Sequence, residues 1–387
     1  MNAAGATRCY SEKVLAWVLL GLVAGSIVYC ALTVVAAENY TAVRPPEIDS
    51  FPPVSVLKPL AGVDLDLEKN LLSFFEQKYP RFELLFAVRS PEDPAIAVVE
   101  RLRAGFPAIP SRLMITGEPP YPNAKVFSLE QMTAAAQYDL LVMADSDVRA
   151  APNLLATLAA EFQDPKTGVV TCPYRAVPGP SFWSKLEAIG LNTEFLAGVL
   201  VARLLDGMRF ALGPTIGTRR QALADIGGFH ILKDYLAEDF VMGQLAAELG
   251  WRVVLSSLVI EHHIGAQGFG ANMTHRLRWN RSTRRSRPLG YIGQIFTNPL
   301  PLALLFCLAV PAWWPVLAVT AVFRALAARA TASRILRDRL TRANWWLVPI
   351  QDAASFVLWA AAFFGHTILW RGRKYRVLRD GRFELVS

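Results

Sequence analysis

The sequence has few cysteines, and their positions exclude two common uses of this residue. Cys9, Cys30, Cys172 and Cys307 stand far apart along the chain, with no paired spacing of the kind that binds zinc. Two of the four fall inside apolar segments, so a disulfide framework is not indicated either. We therefore expect neither structural zinc nor disulfide bonds to hold the fold together.

The chain also lacks a recognisable basic nucleic-acid-binding module, although its net charge is +8. Its arginines are concentrated after position 275, beside apolar segments, where anionic lipid headgroups are the expected partner. Of the 387 residues, 53% are hydrophobic and 19% are charged. This is too apolar for an ordinary soluble enzyme and too charged for membrane helices alone, so the composition predicts a protein that is part membrane-embedded and part water-soluble.

No charged residue occurs between Val14 and Ala37. A helix of about 24 residues at 1.5 Å per residue reaches roughly 36 Å, which is enough to cross a bilayer core. Val35-Ala36-Ala37 resembles a signal-peptide cleavage site, but the apolar run is longer than the usual 7–15 residues or so of a signal peptide. We predict an N-terminal tail at residues 1–13, a retained transmembrane anchor at 14–37 and a proline-rich linker at 38–52.

Short apolar runs alternate with helical patterns over residues 53–290. The first predicted strands and helices, in chain order, are Val54–Leu57, Asp66–Gln77, Glu83–Val88, Ala95–Ala104, Arg112–Ile115, Lys125–Ala136 and Asp139–Met143. Such alternation predicts an α/β domain of parallel βαβ units under covering helices. We assign the whole of residues 53–290 to this single domain.

The composition turns apolar again after Tyr291, in the runs Pro299–Ala328 and Trp345–Trp370. Arginines lie between these two runs and again after the second one, and the positive-inside rule cannot place both basic stretches on the cytoplasmic side of a single crossing. Either one stretch breaks that rule, or some apolar runs are re-entrant or lie flat in the interface. We predict a C-terminal membrane region at 291–370 and a basic tail at 371–387.

An acidic cluster, Asp145-Ser146-Asp147, follows the apolar run Leu140–Ala144 directly. Ligands bind at the carboxyl ends of the strands in an open parallel sheet, which is where these carboxylates would emerge. A divalent metal held by one or two carboxylates and phosphate oxygens can neutralise a nucleotide-diphosphate leaving group. Asp145 and Asp147 are therefore candidate metal ligands; the alternative is a turn with an aspartate capping the next helix.

Asp239 is the second candidate for chemistry. Glu238-Asp239 precedes a helical run, so Asp239 would lie near a helix N-terminus, where a carboxylate is favourable. As a general base, it would take the proton from a substrate hydroxyl. The sequence alone leaves the capping and the catalytic interpretations equally open.

Two further segments carry weaker signals. Glu261-His262-His263 follows the apolar run Val253–Ile260 and lacks a third metal ligand at a usable spacing, so we interpret it as the end of a strand rather than a metal site. Asp352 lies inside the final apolar segment, where a buried acid is costly. It is either functional or hydrogen-bonded between packed helices.

Several motifs occur in the order and approximate spacing of a D, D, D, (Q/R)xxRW signature. They are Asp93, Asp145-Ser146-Asp147, Asp239 and Arg278-Trp279, supported by Val54-Ser55-Val56-Leu57-Lys58-Pro59, Asn123-Ala124-Lys125 and Trp370-Arg371-Gly372-Arg373. On these motifs the chain resembles the ceramide glucosyltransferase family (family 21, family 2-like), including bacterial hopanoid-associated glycosyltransferases. The similarity covers nearly the whole chain. His275 departs from it, since it stands where the signature usually has Gln or Arg.

The resemblance implies a GT-A catalytic domain with a mixed, mainly parallel sheet, facing the cytoplasm of a bacterial inner membrane and using Mg or Mn. By matched position, a nucleotide-sugar pocket would be lined by Lys58, Asp93, Lys125 and Asp145. Asp145 and Asp147 would hold the metal, and Asp239 would be the base. Solvated strand-end lysines are the alternative interpretation of Lys58 and Lys125.

The same matching places His275, Arg278 and Trp279 at the diphosphate and the acceptor. A guanidinium suits bidentate phosphate contact, although contact with lipid headgroups is the alternative for Arg278. The expected reaction is inverting transfer of glucose from UDP-glucose to the primary hydroxyl of a membrane lipid such as ceramide. The alternative is transfer of glucose or N-acetylglucosamine from its UDP derivative to a hopanoid polyol or diacylglycerol.

Two other classes remain as rivals. A processive polysaccharide synthase shares the carboxylate pattern, but it needs enough membrane spans for a translocation channel, and few follow Arg278. A non-catalytic lipid-binding adaptor would contain a decayed transferase domain, whereas the candidate carboxylates Asp145, Asp147 and Asp239 are intact.

Overall fold

The chain divides into two units of different architecture in a computed structural model, which describes residues 3–48, 50–370 and 373–386, with side chains from Lys13 onwards. The helical unit comprises Met1–Ala42, Lys185–Leu205 and Gly270–Gly365. The sheet unit comprises Val43–Ser184, Asp206–Phe269 and His366–Ser387. Each unit is assembled from three stretches of the chain, which differs from the uninterrupted domain predicted at residues 53–290.

The strands of the described residues all lie in the sheet unit. In chain order they are β1 (Val54–Pro59), β2 (Phe82–Val88), β3 (Ser111–Ile115), β4 (Leu140–Ala144), β5 (Val148–Arg149), β6 (Thr167–Thr171), β7 (Tyr174–Pro178), β8 (Thr215–Arg219), β9 (Arg252–Leu255), β10 (Ile260–Ile264), β11 (Thr367–Trp370), β12 (Arg373–Val377) and β13 (Phe383–Leu385).

The main sheet has seven strands in the order β3-β2-β1-β4-β8-β6-β9. The pairs β1–β2, β1–β4, β2–β3 and β6–β9 are parallel, whereas β8 runs antiparallel to both of its neighbours. Strands β2 and β4 are buried along their whole length, as strands covered on both faces should be, and Glu83 of β2 is the one charged residue in them. The prediction of a mixed, mainly parallel sheet is confirmed, and the first four predicted strands lie within two residues of the observed ones.

Two small sheets complete the sheet unit. One has the order β5-β10-β7, with β10 antiparallel to β5 and parallel to β7. The other is the antiparallel sheet β11-β12-β13, called here the C-terminal sheet, which has its own apolar cluster of Ile368, Tyr375, Val377 and Phe383.

The helices of the described residues are, in chain order, α1 (Ala3–Thr41), α2 (Leu67–Phe75), α3 (Ala95–Gly105), α4 (Ala124–Ala135), α5 (Leu154–Glu161), α6 (Phe182–Gly190), α7 (Leu196–Asp206), α8 (Arg220–Asp225), α9 (Glu238–Glu248), α10 (Phe269–Ser286), α11 (Pro288–Gly293), α12 (Pro299–Ala309), α13 (Pro315–Ala328), α14 (Arg339–Ala343) and α15 (Val348–Ala361). Short 3₁₀ or π turns lie at Leu191–Phe195, Phe229–Leu232, Gln294–Thr297, Pro311–Trp313, Arg329–Ile335 and Trp345–Leu347.

Three helical stretches of the described chain are long and apolar enough to cross a membrane. They are Lys13–Thr41, Phe182–Asp206 and Pro311–Ile335, and a fourth would be the pair Pro288–Thr297 and Pro299–Ala309, which is bent by 66°. The predicted N-terminal and C-terminal membrane helices are thus confirmed. The stretch Phe182–Asp206 was not predicted, because the charged residues Lys185, Glu187, Glu194 and Arg203 interrupt its apolar pattern.

The ends of the chain differ from the prediction. Helix α1 includes residues 3–13 of the predicted tail and reaches Thr41, because no helix-breaking proline occurs before Pro45. The run Trp345–Trp370 is not one membrane segment: α15 ends at Ala361, and Gly365 adopts a positive φ of 88° before β11 begins. Much of the predicted basic tail is strand, although Arg371 and Gly372 lie outside the described residues.

Asp352 belongs to a buried ion pair in the helical unit. Arg324 of α13 donates from Nε to Asp352 Oδ2 (2.8 Å) and from Nη2 to Oδ1 (2.7 Å), and Nη2 also reaches Thr193 Oγ1 at 3.2 Å. Both partners are almost completely buried. Of the two interpretations given for Asp352, the structure supports hydrogen bonding between packed helices.

Candidate functional site

The acidic cluster lies where the central strand β4 ends. Asp145 and Asp147 occupy the turn between β4 and β5, and this turn is held by backbone hydrogen bonds from Asp145 N to Pro214 O (3.1 Å) and from Val148 N to Asp145 O (3.2 Å). The two carboxylates therefore emerge at the carboxyl end of a buried strand, as the sequence predicts.

Lys125 joins the acidic cluster to the start of α9. It lies in the first turn of α4, and its Nζ is 2.7 Å from Asp145 Oδ1 and 3.1 Å from Glu238 Oε1. Burial by itself would lower the pKa of Lys125, but the charges of Asp145 and Glu238 outweigh it and raise that pKa. Burial raises the pKa of Asp145, against the opposite effect of the Lys125 ammonium. Lys125 is thus a fixed cation between two acids rather than a solvated lysine.

Asp147 is held by a histidine rather than by Lys125. His262 of β10 places Nε2 3.1 Å from Asp147 Oδ2, and the ring of Tyr174 packs edge-on against the imidazole at 5.2 Å between centroids. Burial would raise the pKa of Asp147, but the charge and hydrogen bond of His262 offset this and lower it. The sequence predicted His262 at the end of a strand run over Val253–Ile260, but it lies in the middle of β10, a strand separate from β9. Its contact with the acidic cluster was not foreseen.

The carboxylates fit a divalent cation that shares its coordination with phosphate and water. Asp147 Oδ1 is buried and has no hydrogen-bond partner among the described residues, so its lone pairs are available to a ligand. No group of three or more His, Cys, Asp or Glu side chains in the described part of the chain could hold a metal by itself. Mg²⁺ and Mn²⁺ favour oxygen ligands, and Mg²⁺ commonly binds through one or two carboxylates plus substrate phosphates.

Asp239 lies in the first turn of α9, beside Lys125 and Glu238 in one small cavity. Burial, reinforced by the charge of Glu238, raises the pKa of Asp239 to about 6. A Cβ atom at Gly213 would lie 2.9 Å from Asp239 Oδ2, so only glycine allows the carboxylate this position. A carboxylate with a pKa near 6 can accept a proton from a substrate hydroxyl at neutral pH.

Lys58 and Asp93, which were both predicted to line the nucleotide-sugar pocket, form hydrogen bonds within the sheet unit. Lys58 is completely buried, its Nζ donates to the carbonyl oxygen of Asp145, and it lies 4.0 Å from the centroid of the Phe74 ring. Burial lowers the pKa of Lys58 to about 7. Asp93 accepts hydrogen bonds from the amides of Gly62 (3.0 Å) and Ala95 (2.9 Å) at the start of α3. Both side chains fix loops around the site.

The residues matched to the last motif belong to the helical unit. His275, Arg278 and Trp279 lie on α10 at positions i, i+3 and i+4, so they share one face of the helix. His275 Nδ1 is 3.1 Å from Glu187 Oε1, and its ring centroid is 4.8 Å from that of Trp279. Glu187, which also accepts from Asn272, was missed because it is far from α10 in sequence.

The predicted site residues are thus divided between the units. The sheet unit brings together Lys125, Asp145, Asp147 and Asp239, with Lys58 beneath Asp145. The additional contacts of Glu238 and His262 were not predicted; the adjacency of Glu238 to Asp239 was the only local signal for the first of these.

Residues 17–383 match the model of glycosyl transferase family 21. Ceramide glucosyltransferase 1 of Caenorhabditis elegans is 32% identical over 210 residues, which cover 54% of this chain and 45% of that relative. Ceramide glucosyltransferase 3 of the same organism is 27% identical over 257 residues, which cover 65% of this chain and 56% of that relative. The chain therefore spans about half the length of these curated relatives.

Among solved structures, a mannosyltransferase from Pyrobaculum calidifontis in complex with GDP-Man and Mn²⁺ superposes with a TM-score of 0.55 at 18% identity. The match covers 90% of this chain and 99% of that one. At this level of identity the similarity concerns the fold, and it confirms the predicted GT-A architecture.

Proposed function

The chain belongs to glycosyl transferase family 21, and we propose on this premise that it transfers glucose from UDP-glucose to the primary hydroxyl of a ceramide, with inversion at the anomeric carbon. Two C. elegans relatives are named ceramide glucosyltransferases, which supports ceramide as the acceptor and glucose as the transferred sugar. The observation that carries the mechanism is the cluster in the sheet unit, where a buried carboxylate with a pKa near 6 lies beside a cation and a pair of aspartates.

In this proposal Asp239 acts as the general base. The nucleophile is the acceptor oxygen, which forms a bond to the anomeric carbon as the bond from that carbon to UDP breaks. Asp239 takes the hydroxyl proton in the same step. Attack from the face opposite the leaving group inverts the configuration, and Gly213 gives the carboxylate room to hold its position.

The leaving group is assigned to the opposite side of the cluster. Asp145 and Asp147 would hold a divalent cation, whose charge stabilises the departing diphosphate when it is bound. Lys125 keeps Asp145 oriented at 2.7 Å, and His262 keeps Asp147 oriented at 3.1 Å. The mannosyltransferase with the similar fold was solved with Mn²⁺, which agrees with this choice of cation.

The helical unit would supply the membrane and acceptor side of the reaction. Its apolar helices are long enough to cross a bilayer, and we propose that Arg278, Trp279 and His275 on α10 contact the diphosphate or the acceptor headgroup. A catalytic domain that faces the cytoplasm at a bacterial inner membrane is part of the same proposal, and it follows from the family resemblance.

A second candidate acceptor is a hopanoid polyol or diacylglycerol. The observation that favours it is His275, which stands where the ceramide-type signature has Gln or Arg and which is fixed by Glu187 rather than free to rotate. A different side chain at a headgroup position alters which hydroxyls can be bound, because a site built for particular hydrogen bonds rejects substrates that lack them.

The test measures UDP release by the full-length protein purified in detergent, with UDP-glucose, Mn²⁺ and one acceptor at a time: ceramide, diacylglycerol or a hopanoid polyol. Ceramide-dependent release supports the leading proposal, and product configuration by NMR tests inversion. Release with another lipid alone would replace ceramide but retain the mechanism. Absence of release with every acceptor and with UDP-N-acetylglucosamine would refute glycosyl transfer. EDTA should abolish release and Mn²⁺ or Mg²⁺ should restore it.

A further inference from the structure

The segment that leads into α9 has almost no regular secondary structure. Residues 234–237 form no helix and contribute only an isolated bridge at Tyr235, and they are followed at once by Glu238 and Asp239. Ala237 at the N-cap provides no side-chain hydrogen bond to the helix. The first turn of α9, and hence Asp239, is therefore positioned by Lys125 through Glu238 and by the contacts that hold this preceding segment.

One side of the segment is held by Asn123. Its Nδ2 donates to Tyr235 O at 2.8 Å, while its Oδ1 accepts from Val126 N at 3.2 Å and so caps α4. Lys125 lies in the first turn of α4, which Asn123 caps. The same asparagine therefore connects the helix that carries Lys125 to the segment before Asp239.

The other side is held by the C-terminal sheet. Phe383 N donates to Asp234 O at 2.8 Å, and Arg382 pairs with Tyr235 as an antiparallel bridge. Arg382 Nε also donates to Tyr235 Oη at 3.3 Å, and its guanidinium lies 5.6 Å from the centroid of the Tyr235 ring. Leu236 packs against the apolar cluster that contains Phe383.

We infer that the C-terminal sheet is a positioning element for Asp239. After the last helix of the helical unit, the chain returns to the sheet unit at His366, and its final strand fixes residues 234–237 through backbone, aromatic and apolar contacts. Phe383 and Arg382 are the positioning residues, and they act through the segment rather than on the substrate. This inference rests on the proposed role of Asp239 as general base.

The matched variants are Phe383→Ala and Leu385→Ala, two residues apart on β13. Phe383 is 2% exposed and packs in the cluster, whereas Leu385 is 54% exposed. We expect Phe383→Ala to lower kcat about tenfold or more, because displacements near 1 Å at a catalytic group cost up to about 10²-fold. The Kd for UDP with Mn²⁺, measured by calorimetry, should change less than about twofold, as should kcat in Leu385→Ala.

A second readout is independent of turnover. Hydrogen exchange followed by mass spectrometry should show faster exchange of the amides of residues 234–240 in Phe383→Ala and unchanged exchange in Leu385→Ala. Arg382→Ala should give a smaller effect of the same kind, with partial rescue in Arg382→Lys, while Arg379→Ala at an exposed position should resemble the parent protein. The arginine variants leave the apolar cluster intact, so they still test the positioning role of the C-terminal sheet if Phe383→Ala does not fold.

The outcomes separate this inference from the proposed function. Unchanged kcat and unchanged exchange in both Phe383→Ala and Arg382→Ala would overturn the positioning role. Equal loss of kcat and of UDP affinity would also overturn it, because that result indicates general damage to the sheet unit. If Asp239→Asn is as active as the parent protein, the proposed function fails, whereas exchange at residues 234–240 still reports whether the C-terminal sheet holds the segment.

Discussion

The sheet unit and the helical unit both bury charged side chains, but they use them differently. In the helical unit, Arg324 and Asp352 form a bidentate pair completed by Thr193, and all three residues belong to that unit. In the sheet unit, Lys125 and His262 each engage one oxygen of an aspartate, while Asp147 Oδ1 stays buried without a partner among the described residues. A saturated pair is suited to packing, and an unsaturated cluster is suited to binding a charged ligand.

The difference matters because a buried charge is costly unless it is satisfied. Replacing a buried ion pair by apolar residues is often neutral or stabilising, whereas removing one partner is strongly destabilising. The Arg324–Asp352 pair links α13 to α15, and we expect its net contribution to stability to be small compared with the cost of removing one partner. In the proposed function, the oxygen of Asp147 that has no partner among the described residues is the atom left available to a cation that carries the diphosphate.

The largest effect on activity is expected from Asp239→Asn. The amide cannot accept the acceptor proton, so kcat should fall by about 10²–10⁴-fold, the usual contribution of a general base. Thermal unfolding should remain close to that of the parent protein. Asp206→Asn, at an exposed acid, serves as the control and should keep full activity. A fully active Asp239→Asn enzyme would mean that this cluster does not perform the chemistry.

Asp352→Asn should lower the stability of the protein rather than its activity. It leaves the Arg324 guanidinium buried without its counter-charge, which should destabilise the protein by about 3–5 kcal/mol. The molecules that remain folded should turn over at the parent rate. The double variant Arg324→Met with Asp352→Leu should recover much of the stability, as followed by thermal unfolding in detergent. Loss of turnover without loss of stability would show that this pair too is functional, and the contrast between the units would fail.

His262→Gln should weaken the response to the cation. Without the imidazole, Asp147 loses the partner that orients it and lowers its pKa, and groups that orient metal ligands typically contribute about 10–100-fold to metal affinity. The Mn²⁺ concentration for half-maximal UDP release should rise by that factor, with the maximal rate less affected. His230→Gln, at an exposed histidine, should leave the Mn²⁺ response unchanged. An unaltered Mn²⁺ curve in His262→Gln would show that the contact does not support the metal site.

The smallest expected effect is a dependence of kcat/KM on pH. Because the pKa of Asp239 is raised to about 6, its carboxylate becomes protonated, and loses its ability to accept a proton, as the pH falls through that value. The profile of kcat/KM should therefore have an acidic limb with a midpoint near 6, and should drop about tenfold from its plateau at roughly one pH unit below that midpoint. The residual activity of Asp239→Asn should not show this limb. A profile that stays flat down to pH 5 in the parent enzyme would contradict the assignment.

A feature of the site could be predicted from sequence when its residues are close along the chain, and could not be predicted when they are far apart. The turn after β4 was predictable, because a buried apolar strand followed by two aspartates is a local pattern. The position of Lys58 was not, since a lysine at the end of a strand is ordinarily solvated, and only the packing of Phe74 and the carbonyl of Asp145 made burial possible. The membrane segments were predictable where they lack charge, as over residues 14–37 of α1. They were not predictable in Phe182–Asp206, where Glu187, Glu194 and Arg203 interrupt the apolar pattern and form hydrogen bonds within the helical unit.

The sequence by itself determined the α/β alternation, the acidic turn and the apolar anchor, because each depends on residues within one turn or one strand of each other. Tertiary structure decided the rest. His262 reaches Asp147 across 115 positions, and Phe383 reaches Asp234 only after the chain has passed through the helical unit and returned. These contacts depend on which strands become neighbours, and that is set by the burial of whole faces rather than by any local pattern.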